Sequence, residues 1–186
     1  MRVISGSAGG ISLSAPRDRT TRPISDRVKE TLFAILAPRL SGARVLDLYA
    51  GSGAIGIEAL SRGAAEGTFV EHGREALAVL RANLERTHLA GQARVAGADV
   101  MAFLQADRGV PWDLVFLDPP YALDAILAPL RLAAARLAPG GLVVVKHFWR
   151  TPVPEPGGLR TARVRRFGET SLTFLASPAA EEGEEP

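Results

Sequence analysis

Short apolar runs alternate with segments of helical spacing through the middle of the chain. The apolar runs, typical of buried strands, cover residues 44–48, 68–71, 93–96, 113–117 and 142–145. Between them, apolar residues recur every three or four positions, which predicts helices over residues 54–62, 74–86, 100–106 and 123–137. Buried strands that alternate with helices indicate an α/β fold with one doubly wound, mostly parallel sheet and helices on both faces.

The two ends of the chain indicate additions to this sheet. Residues 1–13 alternate weakly around a glycine-rich turn, which predicts a small β-hairpin. Residues 25–37 have helical spacing, and Ser25 is a candidate N-cap for that helix. Residues 160–166 and 171–175 flank a turn and predict an antiparallel C-terminal hairpin, which brings the sheet to seven strands.

The length of the chain, 186 residues, is the usual size of a single domain. We interpret residues 41–176 as that domain, preceded by a hairpin-and-helix extension over residues 1–40. Residues 177–186 are small, proline-containing and acidic, which predicts a disordered tail.

The composition excludes several classes of site and protein. No cysteine is present, so disulfides, thiolate metal sites and a cysteine nucleophile are excluded. The three histidines are scattered along the chain, and we expect no metal ion. No apolar run reaches the roughly 18 residues of a membrane span, and the N-terminus lacks the apolar stretch of a signal peptide. We therefore expect a cytoplasmic protein with no membrane partner.

Charge is distributed unevenly along the chain, although the net charge is only +2. Residues 1–44 carry eight basic and three acidic side chains, and residues 146–170 carry six basic and two acidic ones. Basic flanks around a mildly acidic middle suit a polyanionic partner such as a nucleic acid. The alternative is that these arginines are only scattered, solvated surface charges.

A glycine-rich loop follows the first predicted strand and opens a helix. It reads Asp47-Leu48-Tyr49-Ala50-Gly51-Ser52-Gly53-Ala54-Ile55-Gly56, and its glycines let the backbone turn tightly and approach a ligand closely. A ligand there lies at the carboxyl end of a strand, beside a helix N-terminus. Asp47 would accept hydrogen bonds from an ammonium group or from ribose hydroxyls. A tight strand-to-helix turn, with Asp47 as its capping acid, is the alternative.

Two further acids come at the ends of predicted strands. Glu71 closes the second strand, where an acid binds ribose hydroxyls in proteins that hold nucleoside cofactors. Asp99 follows the third strand, where a carboxylate would accept from an adenine amino group. The alternatives are a solvated strand-end acid for Glu71 and the N-cap of the next helix for Asp99.

The motif with the clearest chemistry is Asp118-Pro119-Pro120-Tyr121, directly after the buried strand at residues 113–117. Two prolines fix the backbone and remove two amide donors, so the rim of the site offers only carbonyl and carboxylate acceptors. A planar amine held against such a rim donates its hydrogens to it, which leaves its nitrogen lone pair free to face a methyl group. Tyr121 offers a ring that can stack on an extruded base. A proline turn, with Asp118 as its turn former, is the alternative.

These motifs together resemble those of the Rossmann-like class I methyltransferases, in the branch that methylates amines. More narrowly, the chain up to about residue 176 resembles the RsmD family of bacterial 16S ribosomal RNA guanine-N2 methyltransferases. The segments that carry this closer resemblance are residues 2–6, 21–30, 45–64, 116–121 and 167–170. Lys146-His147 departs from the family pattern, in which many members have an acid before the histidine or its equivalent.

The resemblance implies S-adenosylmethionine as the cofactor. It also implies one guanine of 16S rRNA, in the small ribosomal subunit or an assembly intermediate, as the substrate. The implied catalytic residues are Asp118, Pro119, Pro120 and Tyr121. The implied cofactor-binding residues are Asp47, Tyr49, Gly51, Ser52, Gly53, Glu71, Asp99 and Val100, with Thr21 and Arg22 over the methionine end. The N-terminal extension then covers cofactor and substrate, and we expect a monomer.

The arginines of the basic flanks are the candidate contacts to RNA phosphates. They are Arg17, Arg19, Arg22, Arg27, Arg160, Arg163, Arg165 and Arg166. For Arg22 and Arg27 the alternative is an ion pair with Asp26 or Glu30 on their own helix.

Three other functions fit parts of the sequence. A methyltransferase for another nucleic-acid amine, such as adenine N6 of DNA or RNA, would have the same proline motif. A nicotinamide dehydrogenase would explain residues 51–56 and Glu71 but leaves residues 118–121 unexplained. A non-catalytic RNA-binding assembly protein would keep the fold, although its site motifs would be expected to have decayed.

Overall fold

A computed structural model describes residues 1–16, 24–106, 109–119 and 124–178. Its strands are β1 (Arg44–Leu48), β2 (Glu66–Glu71), β3 (Ala93–Gly97), β4 (Trp112–Leu117), β5 (Leu137–Phe148), β6 (Arg160–Phe167) and β7 (Thr170–Ala176). They form one sheet with the order β3-β2-β1-β4-β5-β7-β6. Strands β1 to β5 are parallel, whereas β7 is antiparallel to both of its neighbours. The predicted mostly parallel, seven-stranded sheet with an antiparallel C-terminal hairpin is confirmed.

Helices cover both faces of this sheet, as the alternating pattern predicts. Within the described ranges they are α1 (Asp26–Leu36), α2 (Ala54–Ser61), α3 (Arg74–Arg86), α4 (Val100–Ala106) and α5 (Asp124–Ala134). Helices α1, α2 and α3 share a buried cluster with Val45, and α4 and α5 share another with Leu46. Neighbouring residues of β1 therefore face opposite clusters, which is why this strand is apolar at most positions. None of these helices is long and apolar enough to cross a membrane.

The boundary between α5 and β5 differs from the prediction. The helix expected to reach residue 137 ends at Ala134, and Leu137 already pairs with Trp112 of β4. Leu142 is the next residue of β5 to pair, with Leu114, so the chain between them forms a bulge. The Pro-Gly-Gly sequence at residues 139–141 lies in that bulge and not in a turn after the helix. A bulge tolerates proline because the residue there need not donate a hydrogen bond to the neighbouring strand.

The N-terminal segment folds back on itself without forming two regular strands. Arg2 and Ser12 form an isolated antiparallel bridge, so the predicted hairpin is not confirmed as a two-stranded element. Neighbouring backbone amides bind α2 instead. The Ile4 and Ser5 amides donate to the Glu58 carboxylate at 2.8 and 3.0 Å.

Close contact with the end of α2 fixes the turn of this segment. Gly6 has a φ of +88°, and a Cβ there would lie 1.7 Å from the Ser61 carbonyl oxygen. The Ser61 hydroxyl accepts a 2.9 Å hydrogen bond from the Ala8 amide. Helix α1 follows the extension, with the Ser25 side chain accepting from the Val28 amide as the predicted N-cap. The division of the chain at residues 40 and 176 stays a prediction.

Candidate active site

The strand order reverses between β1 and β4, which lie side by side at the centre of the sheet. Leu48 of β1 pairs with Leu117 of β4, so the loops that follow the two strands leave the sheet next to each other. In open α/β sheets, ligands bind in the crevice at such a reversal, outside the carboxyl ends of the strands. This crevice brings together the glycine loop and Asp118.

The glycine loop adopts a backbone conformation that favours glycine. Tyr49, Gly51 and Gly53 have φ angles of 59°, 54° and 78°. A Cβ at Gly53 would lie 2.3 Å from Cδ1 of Leu80, whereas a Cβ at Gly51 would meet only the Tyr49 carbonyl oxygen, at 4.0 Å. The backbone at Gly51 therefore faces open space in which a ligand can lie close against the chain.

Asp47 lies beneath the loop and is only 3% exposed. Its Oδ2 accepts a 2.9 Å hydrogen bond from the Gly56 amide in the first turn of α2. Burial raises the pKa of Asp47 from 3.8 to about 8 despite that hydrogen bond, and the carboxylates of Asp118 and Glu71 add to the rise. Asp47 thus fixes the strand-to-helix turn, and a nearby cation would favour its ionised form.

Glu71 and Asp99 also bind backbone amides at the rim of the crevice. The two oxygens of Glu71 accept from the Gly51 amide at 2.9 Å and from the Gly73 amide at 2.7 Å. Glu71 therefore connects the end of β2 to the glycine loop. Asp99 accepts from the Ala102 amide at 3.0 Å, in the manner of an N-cap for α4. The roles of both acids toward a cofactor stay predictions.

The other predicted cofactor residues differ in exposure. Tyr49 is half-buried, and Val100 is buried at the start of α4. The Ser52 carbonyl accepts a 2.9 Å hydrogen bond from the amide group of Asn83, which also binds both backbone groups of Ser14. No sequence motif marks Asn83, yet this fully buried side chain connects the N-terminal extension to the glycine loop.

Asp118 follows β4 directly, and Pro119 is buried behind it. Both oxygens of Asp118 accept hydrogen bonds from Nζ of Lys146 on β5, at 2.9 and 2.7 Å. Burial raises the pKa of Asp118, and the Lys146 ammonium opposes that rise. Sequence reasoning missed this contact. The signal lay in the register, because Val145 pairs with Leu117 and brings the next residues of both strands together.

Several predicted site residues lie outside the described ranges. They are the cofactor-binding candidates Thr21 and Arg22, the catalytic candidates Pro120 and Tyr121, and the RNA-binding candidates Arg17 and Arg19. Their roles stay predictions.

The remaining RNA-binding candidates are all exposed: Arg27 on α1, and Arg160, Arg163, Arg165 and Arg166 on β6. Leu172 of β7 pairs with Arg165 on one side and with Lys146 on the other, so Arg165 and Lys146 point to the same face of the sheet. Arg166 points to the opposite face, where its guanidinium carbon lies 3.6 Å from the centroid of the Trp149 ring.

The overall fold of this chain is similar to those of solved methyltransferase structures. The chain superposes on Escherichia coli yhhF, described as a methyltransferase, with a TM-score of 0.86, 37% identity, and 96% and 98% of the two chains covered. These features define a Rossmann-like methyltransferase. A family model described as "Conserved hypothetical protein 95" matches residues 1–176. The chain belongs to this family, the RsmD family of methyltransferases.

Two relatives show how far the similarity extends. The Bacillus subtilis protein YlbH, named as an rRNA methyltransferase, is 39% identical over 179 residues, which cover 94% of this chain and 97% of YlbH. Ribosomal RNA small subunit methyltransferase D of Escherichia coli K12 is 47% identical over 121 residues. That match spans 65% of this chain and 60% of the Escherichia coli protein.

Proposed function

We propose that this protein transfers a methyl group from S-adenosylmethionine to the exocyclic N2 amine of a guanine in 16S rRNA, within small-subunit particles. The observation that carries the proposal is the position of two acceptors, Asp118 and the Pro119 carbonyl, beside the glycine loop. Support for an rRNA substrate comes from the names of the two relatives, one an rRNA methyltransferase and the other a small-subunit methyltransferase.

The crevice offers the groups that a nucleoside cofactor with an amino-acid tail needs. The open backbone at Gly51 would receive the methionine part, with the Asp47 carboxyl below it. The family resemblance implies that Thr21 and Arg22 would cover this end of the cofactor. Glu71, with a side chain 11% exposed, would bind the ribose, and exposed Asp99 would lie near the adenine. The sulfonium of the bound cofactor supplies an already activated methyl group.

Asp118 and Pro119 would act on the amine. Guanine N2 is a poor nucleophile because its lone pair delocalises into the ring. Hydrogen bonds from the amine to the Asp118 carboxylate and the Pro119 carbonyl reduce that delocalisation and stabilise the positive charge that develops on nitrogen. Alignment of the amine with the methyl group contributes through proximity, worth roughly 7–11 kcal/mol in well-oriented reactions. Tyr121 would stack on the extruded base, an interaction worth about 1–3 kcal/mol.

Methyl transfer from radiolabelled S-adenosylmethionine to small-subunit particles that lack the modification tests this proposal, with nucleoside analysis of the product. We expect label in N2-methylguanosine of 16S rRNA. Label in methyladenosine, or only in added DNA, would keep the amine chemistry and overturn the proposed substrate. If a preparation shown by calorimetry to bind the cofactor labelled no nucleic acid, the nucleic-acid activity itself would be overturned.

A further inference from the structure

Lys146 brings a buried cation to the amine site. The Lys146 side chain is 7% exposed and that of Asp118 is 25% exposed. Nζ of Lys146 lies within hydrogen-bond distance of both carboxylate oxygens of Asp118. The contact is set by the sheet, since the two residues follow the paired positions Leu117 and Val145. Lys146 lies outside the motif at residues 118–121, so the contact joins that motif to a neighbouring strand.

Two ionisable groups on neighbouring strands interact with Asp118: Lys146 on β5 and Asp47 on β1. The Lys146 ammonium on β5 lowers the pKa of Asp118 against the effect of burial. The negative charges of Asp118 and of Glu71, at the end of β2, help to raise the pKa of the Asp47 carboxyl on β1. Among these interacting groups, Lys146 is the cation that compensates the carboxyl groups of Asp47, Glu71 and Asp118.

A carboxylate bound in this way remains an acceptor but becomes a weaker base. Each carboxylate oxygen can take about two hydrogen bonds, so the Lys146 contacts leave room for the hydrogens of a substrate amine. The adjacent positive charge disfavours proton uptake by the same oxygens. When paired with Lys146, Asp118 is therefore suited to orient an amine and not to accept its proton.

We propose that Lys146 is a positioning residue for methyl transfer: it holds Asp118 ionised and oriented, so that Asp118 aligns the amine without acting as the base. The inference rests on the proposed function. The amine nitrogen forms the new bond to the methyl carbon while the carbon–sulfur bond breaks with its electron pair left on sulfur. The nitrogen then loses one proton to solvent water, and the Asp118–Lys146 pair ends the step in its starting charge state.

A double-mutant cycle separates an orienting Asp118 from a basic one. Asp118→Asn keeps a carbonyl acceptor but leaves the Lys146 ammonium unpaired, and Lys146→Met leaves the Asp118 carboxylate unpaired. We expect each single variant to lose activity, and Asp118→Asn/Lys146→Met to recover at least about tenfold over Asp118→Asn, because the acceptor remains and no charge is unpaired. If the double variant is no more active than Asp118→Asn, Asp118 is needed as a carboxylate and the inference is overturned.

The pH dependence of single-turnover rates distinguishes this role from a structural one. Protonation of Asp118 turns one of its acceptor oxygens into a donor and leaves the Lys146 ammonium unpaired, so transfer falls as the pH drops through the pKa of Asp118. Lys146→Met raises this pKa and should shift the acidic limb of the profile to higher pH, whereas Lys146→Arg should keep the limb in place. A purely structural role would lower the rate at every pH without moving the limb, and that outcome contradicts the inference. Cofactor affinity and thermal melting of each variant confirm folding.

A measurement without substrate keeps this inference separate from the proposed function. Carbon-13 NMR of labelled aspartate carboxyls, assigned with Asp118→Asn, follows the Asp118 titration in the absence of RNA. We expect Asp118 to titrate at lower pH in the wild type than in Lys146→Met, even for a preparation that methylates no RNA offered to it. Identical titrations in the two proteins would overturn the role of Lys146, whatever the substrate is.

Discussion

At the scale of single residues, Asp47 makes folding sensitive to pH. Burial raises its pKa from 3.8 to about 8, so the folded chain binds this proton more tightly than the unfolded chain does. Between about pH 4 and about pH 8 the unfolded chain therefore holds fewer protons, and the contribution of Asp47 to the free energy of unfolding falls as the pH rises.

We predict that in Asp47→Asn the free energy of unfolding falls less steeply as the pH rises from about 4 to about 8. The carboxamide oxygen can still accept from the Gly56 amide, but it has no charge to bury. Urea unfolding of both proteins below and above the window measures the slope, and Asp26→Asn, which removes a more exposed acid, is the control. If the free energy of unfolding depended on pH as steeply in Asp47→Asn as in the wild type, Asp47 would not be the cause of this pH dependence.

Gly51 is the position at which backbone and cofactor are expected to lie closest. A methyl group there would meet only the Tyr49 carbonyl oxygen, at 4.0 Å, and would take up space that we expect the cofactor to fill. Gly51→Ala should therefore weaken cofactor binding by roughly tenfold or more, equivalent to about 1.4 kcal/mol. The left-handed backbone adds about 1–2 kcal/mol of strain to the folded protein. Calorimetric titration with S-adenosylmethionine measures the loss.

Gly140→Ala is the matched control for Gly51→Ala. Gly140 has a φ of +71° and open space where the added methyl group would lie, but it belongs to the β5 bulge, toward the opposite end of the strand from the crevice. It should cost a similar amount of stability and leave cofactor affinity unchanged. Equal cofactor affinity in the two variants would show that Gly51 does not contact the ligand.

At the scale of elements, a buried ion pair joins α1 to α2. Lys29 Nζ lies 3.0 Å from Glu58 Oε2, and both side chains are 0% exposed. Lys29→Met leaves the Glu58 carboxylate buried with Arg62, 2.7 Å from Glu58 Oε1, as its remaining cation. The cost should therefore lie at or below the lower end of the about 3–5 kcal/mol that breaking a buried pair usually costs. For a chain of this length, a loss of about 3 kcal/mol lowers Tm by roughly 6–12 °C in thermal unfolding.

The surface pair between Arg2 and Asp26 provides the comparison for Lys29→Met. Its side chains are 61% and 41% exposed, so Arg2→Met should change stability by only about 0–1 kcal/mol. A Lys29→Met variant that melts together with Arg2→Met would show that the buried pair does not hold the two helices together.

Elements with strong local signals could be predicted from the sequence. The predicted bounds of β1, α3 and α4 match the structure, because apolar spacing and strand-end residues specify them locally. The predicted end of α5 was wrong because Leu137 pairs with Trp112, a contact that helical spacing does not reveal. The N-terminal segment pairs only at the Arg2–Ser12 bridge and its flanking backbone hydrogen bonds, and the Ile4 and Ser5 amides bind Glu58, more than 50 residues away, which local spacing does not reveal either.

At the scale of the whole molecule, the face of the sheet that carries Asp118 and Lys146 continues to Arg165 on the edge strand. If RNA phosphates lie along this face, Arg165→Ala should lower the salt dependence of RNA binding by about 0.7–0.9 in log–log slope. Arg131→Ala, on α5 at the opposite face, is the control and should leave the slope unchanged. Equal slopes in the two variants would remove Arg165 from the RNA contacts.

The candidate site could be predicted only as far as its residues lie in motifs. The glycine loop, Glu71 and Asp118 stand out because their position after a strand is visible in the sequence. Lys146 and Asn83 do not, because their importance arises from contacts between distant segments: β5 beside β4, and α3 beneath residues 14 and 52. Sheet register and helix packing bring these side chains into place, and no local pattern encodes either contact.

The central claim is that Asp118 presents an amine to a cofactor held by the glycine loop. The most direct test compares S-adenosylmethionine affinity by calorimetry with single-turnover methyl transfer to small-subunit particles, for wild type and Asp118→Ala. Asp118→Ala/Lys146→Met serves as the control for the unpaired ammonium. We predict that both variants bind the cofactor within about threefold of wild type, less than 1 kcal/mol, and lose at least about 100-fold in rate. Full activity in Asp118→Ala, or a restored rate in the double variant, would contradict the account.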